Sequence, residues 1–216
     1  ELKLRLFQYV NGAWLDVTSS LDTNANRICG TADALGLFAV FEEQAALPFE
    51  GQMIYTVAGG APHDGIPATE ATLTFPKGVA LDASGAIYIA DGENYRIRRV
   101  DSSGLISTVA GNGTGGYNGD GIAATAAWVW NPYGLAVDPA GNLHISDNGN
   151  HRIRKISAAT GLISTVAGTG SAGYNGDGIA AATATLTGPA GIVFDGAGAL
   201  YILLSKPMNK LMHGIK

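Results

Sequence analysis

Residues 132–154, PYGLAVDPAGNLHISDNGNHRIR, decide the fold of this chain, because their pattern occurs at two further places. It recurs at 76–98 as PKGVALDASGAIYIADGENYRIR, and residues 189–205 begin in the same way as PAGIVFDGAGALYILLS. The tetrapeptide TVAG also occurs three times, at 56–59, 108–111 and 165–168. A unit of more than fifty residues is therefore repeated, which is the sequence signature of stacked supersecondary units.

Each unit consists of short runs of β-branched and aromatic residues separated by Gly, Asp, Asn and Pro, a pattern typical of strands and turns. The first complete unit predicts four strands, at residues 78–82, 87–91, 96–100 and 105–110. No stretch shows the periodicity of a helix. The chain is therefore predicted to be all-β, with the repeated four-stranded units forming the blades of a β-propeller.

These motifs resemble the NHL repeat family, and the resemblance covers about residues 51 to 215. It rests on Pro-x-Gly followed by alternating apolar residues and Asp, then on Tyr-Ile-Ala-Asp and Asn-x-Arg-Ile in that order. The third copy is degenerate, since Leu204 stands where the first two have Asp91 and Asp147, and no Arg follows. The resemblance implies a partial propeller of about three blades with an atypical terminal repeat.

Three blades are too few for a closed ring, because propellers have about four to eight. The third unit has two clear strands and a third near 209–215, but no outer strand, whereas residues 53–58 form a spare strand before the first blade. We predict a homodimer in which residues 53–58 of each chain complete the partner's third blade, giving six blades with two-fold symmetry. A fragment of a longer protein is the alternative.

Residues 1–48 do not fit the repeat, although runs at 2–10, 14–18, 27–29 and 37–41 read as strands. They resemble the tail of a β-sandwich module found on bacterial exported proteins. The predicted domains are therefore a β-rich module at 1–48 and the blades at 49–216. The chain begins at Glu1 rather than Met, and together with this module that predicts a processed or partial, secreted or cell-surface product.

Composition excludes several classes of function. The formal net charge of −5 argues against nucleic-acid binding, which needs a basic face. The single Cys29 allows neither an intrachain disulfide nor a zinc site built on cysteines, and the redox compartment stays open. No apolar run approaches the roughly 18 residues of a membrane span.

The loop face is the default binding site. In a four-stranded meander the turns after the second strand, at 91–95 and 147–151, emerge beside the long interblade loops at 111–131 and 168–188. The second repeat carries an aromatic pair there, at the positions where the first repeat has Leu73 and Phe75 and the third has Leu186 and Gly188. Such a pair can stack on sugars or fill a protein interface, and interblade packing is the competing interpretation. The candidate ligand-binding residues are Trp128, Trp130, Tyr133, His151, Asp147, Arg152, Tyr95 and Arg96.

Metal binding is a further hypothesis for this face. The loop motif GYNGDG recurs with Asp120 and Asp177, whose carboxylates and nearby carbonyls suit calcium, although glycines and Asp in such loops more often serve the turn itself. Some NHL propellers are lyases with metal-binding His residues, so the resemblance implies a site, for zinc for example, at His151 with Asp147 and His63. No cofactor is predicted beyond such a divalent metal.

Two functions therefore stay open. One is a non-catalytic binding or assembly module that contacts protein or glycan through the loop face. The other is a propeller enzyme, a lyase or hydrolase, with a divalent metal as its candidate cofactor. Two structural roles are also predicted: Arg96 and Arg152 pair with Asp91 and Asp147, and His144 replaces the aromatic residue found at Tyr88 and Tyr201.

Overall fold

The computed structural model describes residues 64–205 in full, together with the backbone of five strands within 5–40 and of one at 211–215. The chain divides into two compact units, Glu1–Ile54 and Tyr55–Lys216. The predicted boundary at 48/49, the predicted spare strand at 53–58 and His63 lie outside the described residues.

The first unit contains short antiparallel strands. In it β1 pairs with both β2 and β5, while β3 pairs with β4. The strands are β1 (Arg5–Val10), β2 (Ala13–Asp16), β3 (Ser20–Asp22), β4 (Arg27–Cys29) and β5 (Phe38–Val40).

The second unit contains three antiparallel sheets, one for each repeat, and we call them the first, second and third blades. The first blade has the order β6-β10-β9-β8-β7 and the second the order β11-β15-β14-β13-β12, so the chain enters at the outer edge and then runs outward from the innermost strand. The third blade has the order β16-β17-β18. The strands are β6 (Ile66–Pro67), β7 (Pro76–Leu81), β8 (Ile87–Asp91), β9 (Arg96–Val100), β10 (Leu105–Ala110), β11 (Ile122–Ala123), β12 (Pro132–Val137), β13 (Leu143–Asp147), β14 (Arg152–Ile156), β15 (Leu162–Ala167), β16 (Pro189–Phe194), β17 (Leu200–Leu204) and β18 (Leu211–Ile215).

The prediction of an all-β partial propeller is confirmed. The helices in the described part of the chain are single 3₁₀ turns: η1 (Ala68–Glu70), η2 (Ala124–Ala126), η3 (Asn148–Asn150) and η4 (Ala181–Thr183). None of them is long or apolar enough to cross a bilayer. The sequence prediction missed the short outermost strands β6 and β11, each of which follows a glycine, begins with Ile and leads into a 3₁₀ turn.

Glycine in the Pro-x-Gly motif lets neighbouring blades meet backbone to backbone. A Cβ on Gly78 would collide with the carbonyl oxygen of Tyr133 on the next innermost strand. One on Gly134 would collide in the same way with the carbonyl oxygen of Ala190. The motif therefore stacks the innermost strands β7, β12 and β16 side by side, and we call this contact the glycine seat.

Apolar side chains fill the spaces between successive blades. The first blade contributes Ala90 and Ile97, which pack with Leu135 and Ile145 of the second. The second contributes Ile153, which packs with Leu200, Ile202 and Leu204 of the third. Each blade thus buries a face that it cannot cover alone, as stacked repeats require.

The Asp that ends the innermost strand organises the following turn. Asp138 Oδ1 accepts hydrogen bonds from the backbone N–H groups of Ala140 and Asn142, at 3.0 and 2.8 Å. His144 Nε2 lies 3.2 Å from Asp138 Oδ2, where the first blade has the Tyr88 hydroxyl on Asp82 and the third has the Tyr201 hydroxyl on Asp195. The interpretation of His144 as the counterpart of those tyrosines is confirmed.

Candidate functional site

The turns and interblade loops meet at one end of the blades, as predicted for the loop face. Arg96 Nη2 donates to the carbonyl oxygen of Asn112 at 3.1 Å, and Asn150 Nδ2 donates to that of Gly116 at 2.6 Å. Part of each long loop is nevertheless core, because Val129 and its neighbours Ala124 and Ala127 pack between the blades. The free surface of the loop face is smaller than the loop lengths indicate.

A buried carboxylate anchors this face in the second blade. Asp147 is fully buried, and its Oδ1 accepts a hydrogen bond from the backbone N–H of Trp130 at 2.8 Å. Asn150 Nδ2 lies 2.9 Å from both of its oxygens, and Arg154 Nη1 lies 3.4 Å from Oδ2. Burial raises the pKa of the Asp147 carboxyl to about 6, although each of these donors acts to lower it. The carboxylate therefore fixes the backbone at Trp130 to the end of β13.

The first blade repeats this arrangement. Asp91 Oδ1 accepts a hydrogen bond from Thr74 N at 2.7 Å, and its Oδ2 accepts one from Asn94 Nδ2 at 2.9 Å. Arg98 Nη1 lies 3.7 Å from Asp91 Oδ2. The network is therefore a property of the repeat rather than of one blade.

The prediction that Arg96 and Arg152 pair with these carboxylates is wrong. Arg98 and Arg154 make the ion pairs, two residues further along the same strand face. Arg152 instead donates from Nη1 to the carbonyl oxygen of Asn150 at 3.1 Å and from Nη2 to that of Thr169 at 2.7 Å. Arg96 and Arg152 lie at the start of their strands, where they contact backbone carbonyl oxygens of the loops. Arg98 and Arg154 lie further along the strands and contact the buried carboxylates beneath the loops.

Asp120 is held by the same buried arginine. Arg154 Nη2 lies 3.0 Å from Asp120 Oδ1, and Thr165 Oγ1 donates to that oxygen at 3.1 Å. Asp64 has the corresponding partners in the first blade, Arg98 and Thr108. A cation at Asp120 would therefore compete with a guanidinium already in place.

Asp177 lies in the corresponding loop of the third blade, where its surroundings differ. The position of Arg154, opposite Ile145, is taken by Met212, opposite Ile202. Across residues 64–205 no three His, Cys, Asp or Glu side chains are grouped so that they could hold one metal ion. A calcium or zinc site at Asp120, Asp177, Asp147 or His151 stays a prediction.

His151 joins the second blade to the third. It ends the turn η3 in the left-handed conformation, with φ of 54°. Its Nδ1 accepts a hydrogen bond from the backbone N–H of Gly188 at 3.1 Å. Tyr95 holds the same place in the first blade, with φ of 52°. The residue at this position therefore has a structural role in both blades. In the second blade, that role engages Nδ1 of His151 in a hydrogen bond.

The tryptophans occupy positions that differ by one residue from the predicted alignment. Trp130 N binds Asp147 as Thr74 N binds Asp91, and Trp128 N donates to Asn118 as Thr185 N donates to Asn175. The counterparts of the tryptophans are therefore threonines, and the apolar residue aligned with Leu73 and Leu186 is the buried Val129. The second blade thus replaces two polar positions of the repeat with indoles, which are 38% and 49% exposed at Trp128 and Trp130.

The Trp130 indole is held in place by its contact with Gly149. It lies over Gly149, where a Cβ would come within 2.6 Å of Trp130 Cγ and 2.7 Å of Cδ2. The φ of Gly149 is outside the left-handed region, so the glycine provides space rather than conformational freedom. The first blade has Glu93 at this position, beside Thr74. The second blade therefore has Trp130 and Gly149 where the first blade has Thr74 and Glu93. We call this paired replacement the matched exchange, and in it the glycine makes room for an exposed indole ring.

Comparison with known proteins agrees with the geometry. The sequence profile of the teneurin NHL domain matches residues 50–116, and that of the NHL repeat matches residues 130–156. These matches confirm the predicted resemblance to NHL repeats over residues 50–116 and 130–156. The second match contains both residues of the exchange, Trp130 and Gly149.

Two curated relatives show how the chain compares with longer NHL proteins. Teneurin-m of Drosophila melanogaster is 35% identical over an alignment of 153 residues, and the match covers 64% of this chain and 5% of that protein. NHL repeat-containing protein 2 of Bos taurus is 36% identical over an alignment of 114 residues, and the match covers 48% of this chain and 15% of that protein. The chain thus spans a small part of either relative.

Solved structures share the fold. A structural genomics protein of unknown function from Bacteroides thetaiotaomicron is 26% identical with a TM-score of 0.52, over 60% of this chain and 32% of that one. An auxiliary nutrient binding protein from Bacteroides ovatus is 19% identical with a TM-score of 0.56, over 91% of this chain and 55% of that one. This likeness shows the fold alone.

The other candidate residues surround the loop face. Lys77 Nζ lies 4.2 Å from the centre of the exposed Tyr133 ring. Arg152 and Arg154 lie 4.1 and 4.8 Å from the ring of Tyr117, an aromatic contact that the sequence did not indicate. Its recurrence as Tyr174 in the second GYNGDG loop was the available signal. Cationic and aromatic groups are thus interleaved on a chain that is acidic as a whole.

Proposed function

We propose that this chain is a non-catalytic NHL binding module, whose loop face contacts a protein or glycan through Trp128 and Trp130. The observation that carries the proposal is the seating of Trp130 on Gly149 while half of its surface stays exposed. A large side chain that is already held in place loses little conformational freedom when it binds. Exposed indoles stack on the apolar faces of sugars and form hot spots in protein interfaces.

The polar residues of the face support binding rather than catalysis. The Asp147 carboxylate is buried and engaged by Trp130 N, Asn150 and Arg154, so it maintains the loop. His151 uses Nδ1 to hold the start of the third blade. Each of these groups has a counterpart in the repeat architecture, whereas Trp128 and Trp130 depart from it.

We also propose an extracellular or cell-surface location, as the resemblance of residues 1–48 to an exported module implies. The ligands to test are therefore those of that environment, namely glycans and the exposed domains of surface proteins.

The test is to measure binding of the labelled full chain to a glycan array and to an array of extracellular protein domains. The variants Trp130→Thr and Trp128→Thr introduce the residue of the other two repeats, so the fold is expected to persist. Trp130→Thr should weaken any specific signal at least about tenfold, as loss of a hot-spot residue does. The control is Leu162→Thr, an exposed apolar residue at the start of β15, which lies at the opposite end of the blade. Binding that both tryptophan variants retain in full would refute the proposal.

We further propose that two chains form a homodimer with a six-bladed ring. In the first blade, Val79 and Leu81 on the side turned away from the second blade are 65% and 46% exposed. Leu135, the counterpart of Val79 in the second blade, is only 6% exposed, because the first blade covers it. Exposed apolar residues at a repeat interface are typical of an association surface. The solution mass should be twice the 22.1 kDa of one chain, and a monomer would contradict the ring.

A further inference from the structure

The third blade carries a glycine seat against which no described residue packs. Gly191 corresponds to Gly78 and Gly134 in the Pro-x-Gly motif. In those two glycines the position of a Cβ is taken by a carbonyl oxygen of the next innermost strand. Around Gly191 the nearest atoms are Leu203 Cβ at 3.8 Å and Cδ2 at 4.0 Å, which belong to its own blade. A side chain would therefore fit at residue 191 within the described part of the chain.

Backbone conformation does not explain this glycine. The φ of Gly191 lies outside the left-handed region, so any residue could adopt it. Nor does packing among the described residues require it, because none of their atoms comes closer than 3.8 Å to a Cβ at this position. The remaining physical reason is the one that holds at Gly78 and Gly134, namely close approach of another backbone.

We propose that Gly191 of one copy receives the carbonyl oxygen of Lys77 from the first blade of a second copy. Lys77 holds the motif position of Tyr133 and Ala190, whose carbonyls occupy the two seats within the chain. This inference rests on the homodimer proposed above and assigns its joint. The two joints of the ring are identical by symmetry.

The apolar side chains beside the proposed joint occupy positions that pack between blades within the chain. Within the chain, Leu135 of one blade packs in the same cluster as the small Ala90 of the blade before it. At the proposed joint the corresponding residues are Val79, which is one methylene smaller than Leu135, and Leu203, which is larger than Ala90, so the larger side chain lies on the second strand instead of the innermost strand. Leu203 and its neighbour Val193 are exposed on the third blade, as Val79 is on the first. The joint therefore continues the interface already formed between the blades.

The first test is Gly191→Ala in the full chain, with the mass followed by sedimentation over a dilution series. The added Cβ fits the single chain but collides with the incoming carbonyl oxygen. The dissociation constant of the dimer should therefore rise roughly 30-fold or more. The matched control is Gly196→Ala, since a Cβ on this nearby glycine would meet no atom within 4 Å and its φ is not left-handed. Gly134→Ala, whose seat is filled within the chain, should instead lower thermal stability.

The second test uses the opposite partner of the joint. Val79→Asp should also give monomers, and its exposed site makes misfolding no concern for the single chain. Mixing Val79→Asp with Gly191→Ala leaves one joint intact, so dimers should reappear in the mixture although neither variant forms them alone.

The outcomes separate the two proposals. A wild-type monomer overturns both the homodimer and the joint. A dimer that survives Gly191→Ala and Val79→Asp as well as Gly196→Ala overturns the joint and leaves the homodimer standing. Loss of the dimer in both variants, with restoration on mixing, supports the assignment.

Discussion

The first and second blades share a polar framework and differ in what they display on it. Both fix the start of the innermost strand with a buried carboxylate, Asp91 or Asp147, which binds a backbone N–H of the incoming loop. The residue whose N–H group binds this carboxylate is Thr74 in the first blade and Trp130 in the second. Geometry that the two blades share is therefore structural, while the exchange made in one blade marks the candidate binding surface.

The largest effect should come from breaking the framework of the second blade. Arg154→Met leaves the fully buried Asp147 without its cation, which should cost about 3–5 kcal/mol in the free energy of unfolding. The third blade replaces the same pair by Leu204 and Met212. Adding Asp147→Leu to Arg154→Met should restore part of the loss, because it removes the unpaired buried charge. The recovery is incomplete, because Trp130 N and Asn150 Nδ2 then lose their acceptor.

Denaturant unfolding of the two variants measures this difference. A double variant no more stable than Arg154→Met alone would show that the buried ion pair is required in the second blade in a way that the third blade has lost.

A smaller effect should follow from exchanging surface residues between the blades. Gly149→Glu puts a side chain into the space of the Trp130 indole and should cost about 1–3 kcal/mol, as overpacking does. Combining it with Trp130→Thr recreates the pair of the first blade and should remove most of that cost. A double-mutant cycle by thermal or denaturant unfolding gives the coupling energy. Additive costs would contradict the matched exchange.

The smallest effect concerns the pH dependence of stability at His144, whose ring lies 4.8 Å from the ring of Phe194 in the third blade. Burial lowers the pKa of His144 below its usual value, because the Asp138 carboxylate only partly offsets the loss of water. The folded state therefore disfavours the proton that the unfolded chain gains, and the contribution of His144 to stability falls as pH drops below about 6.5. His144→Tyr, the residue of the other two blades, should flatten this dependence.

The melting temperature of both forms at pH 7.5 and pH 5 provides the check. The difference in melting temperature between the two pH values should be smaller in His144→Tyr than in the wild type. An unchanged difference would mean that His144 has the same pKa in the folded and the unfolded chain.

Much of the fold could be predicted from the sequence, because strands of four to six residues leave a two-residue period and apolar residues such as Ile97 and Ile153 mark the core face. The two-residue strand β6 leaves no period, and only the recurrence of Gly-Ile before Ala68, Ala124 and Ala181 indicates it. Chemistry at the strand ends was harder to predict. Arg152 and Arg154 lie on one face, so alternation alone does not decide which of them reaches Asp147.

The candidate site was located by composition but placed one residue out of register. Apolar character aligned Trp128 and Trp130 with Leu73 and Phe75, whereas the backbone hydrogen bonds to Asp91 and Asp147 fix Trp130 opposite Thr74. The role of Gly149 could not be inferred, because a glycine that makes room for a ring looks in sequence like any turn glycine.

Our central proposal is that the Trp130 and Gly149 exchange makes the second blade a binding surface. Its most direct test is the affinity of the double variant Trp130→Thr with Gly149→Glu for the glycan or protein that the wild type selects from the arrays. We predict an affinity at least about tenfold weaker at an unchanged melting temperature. An affinity equal to that of the wild type would contradict it.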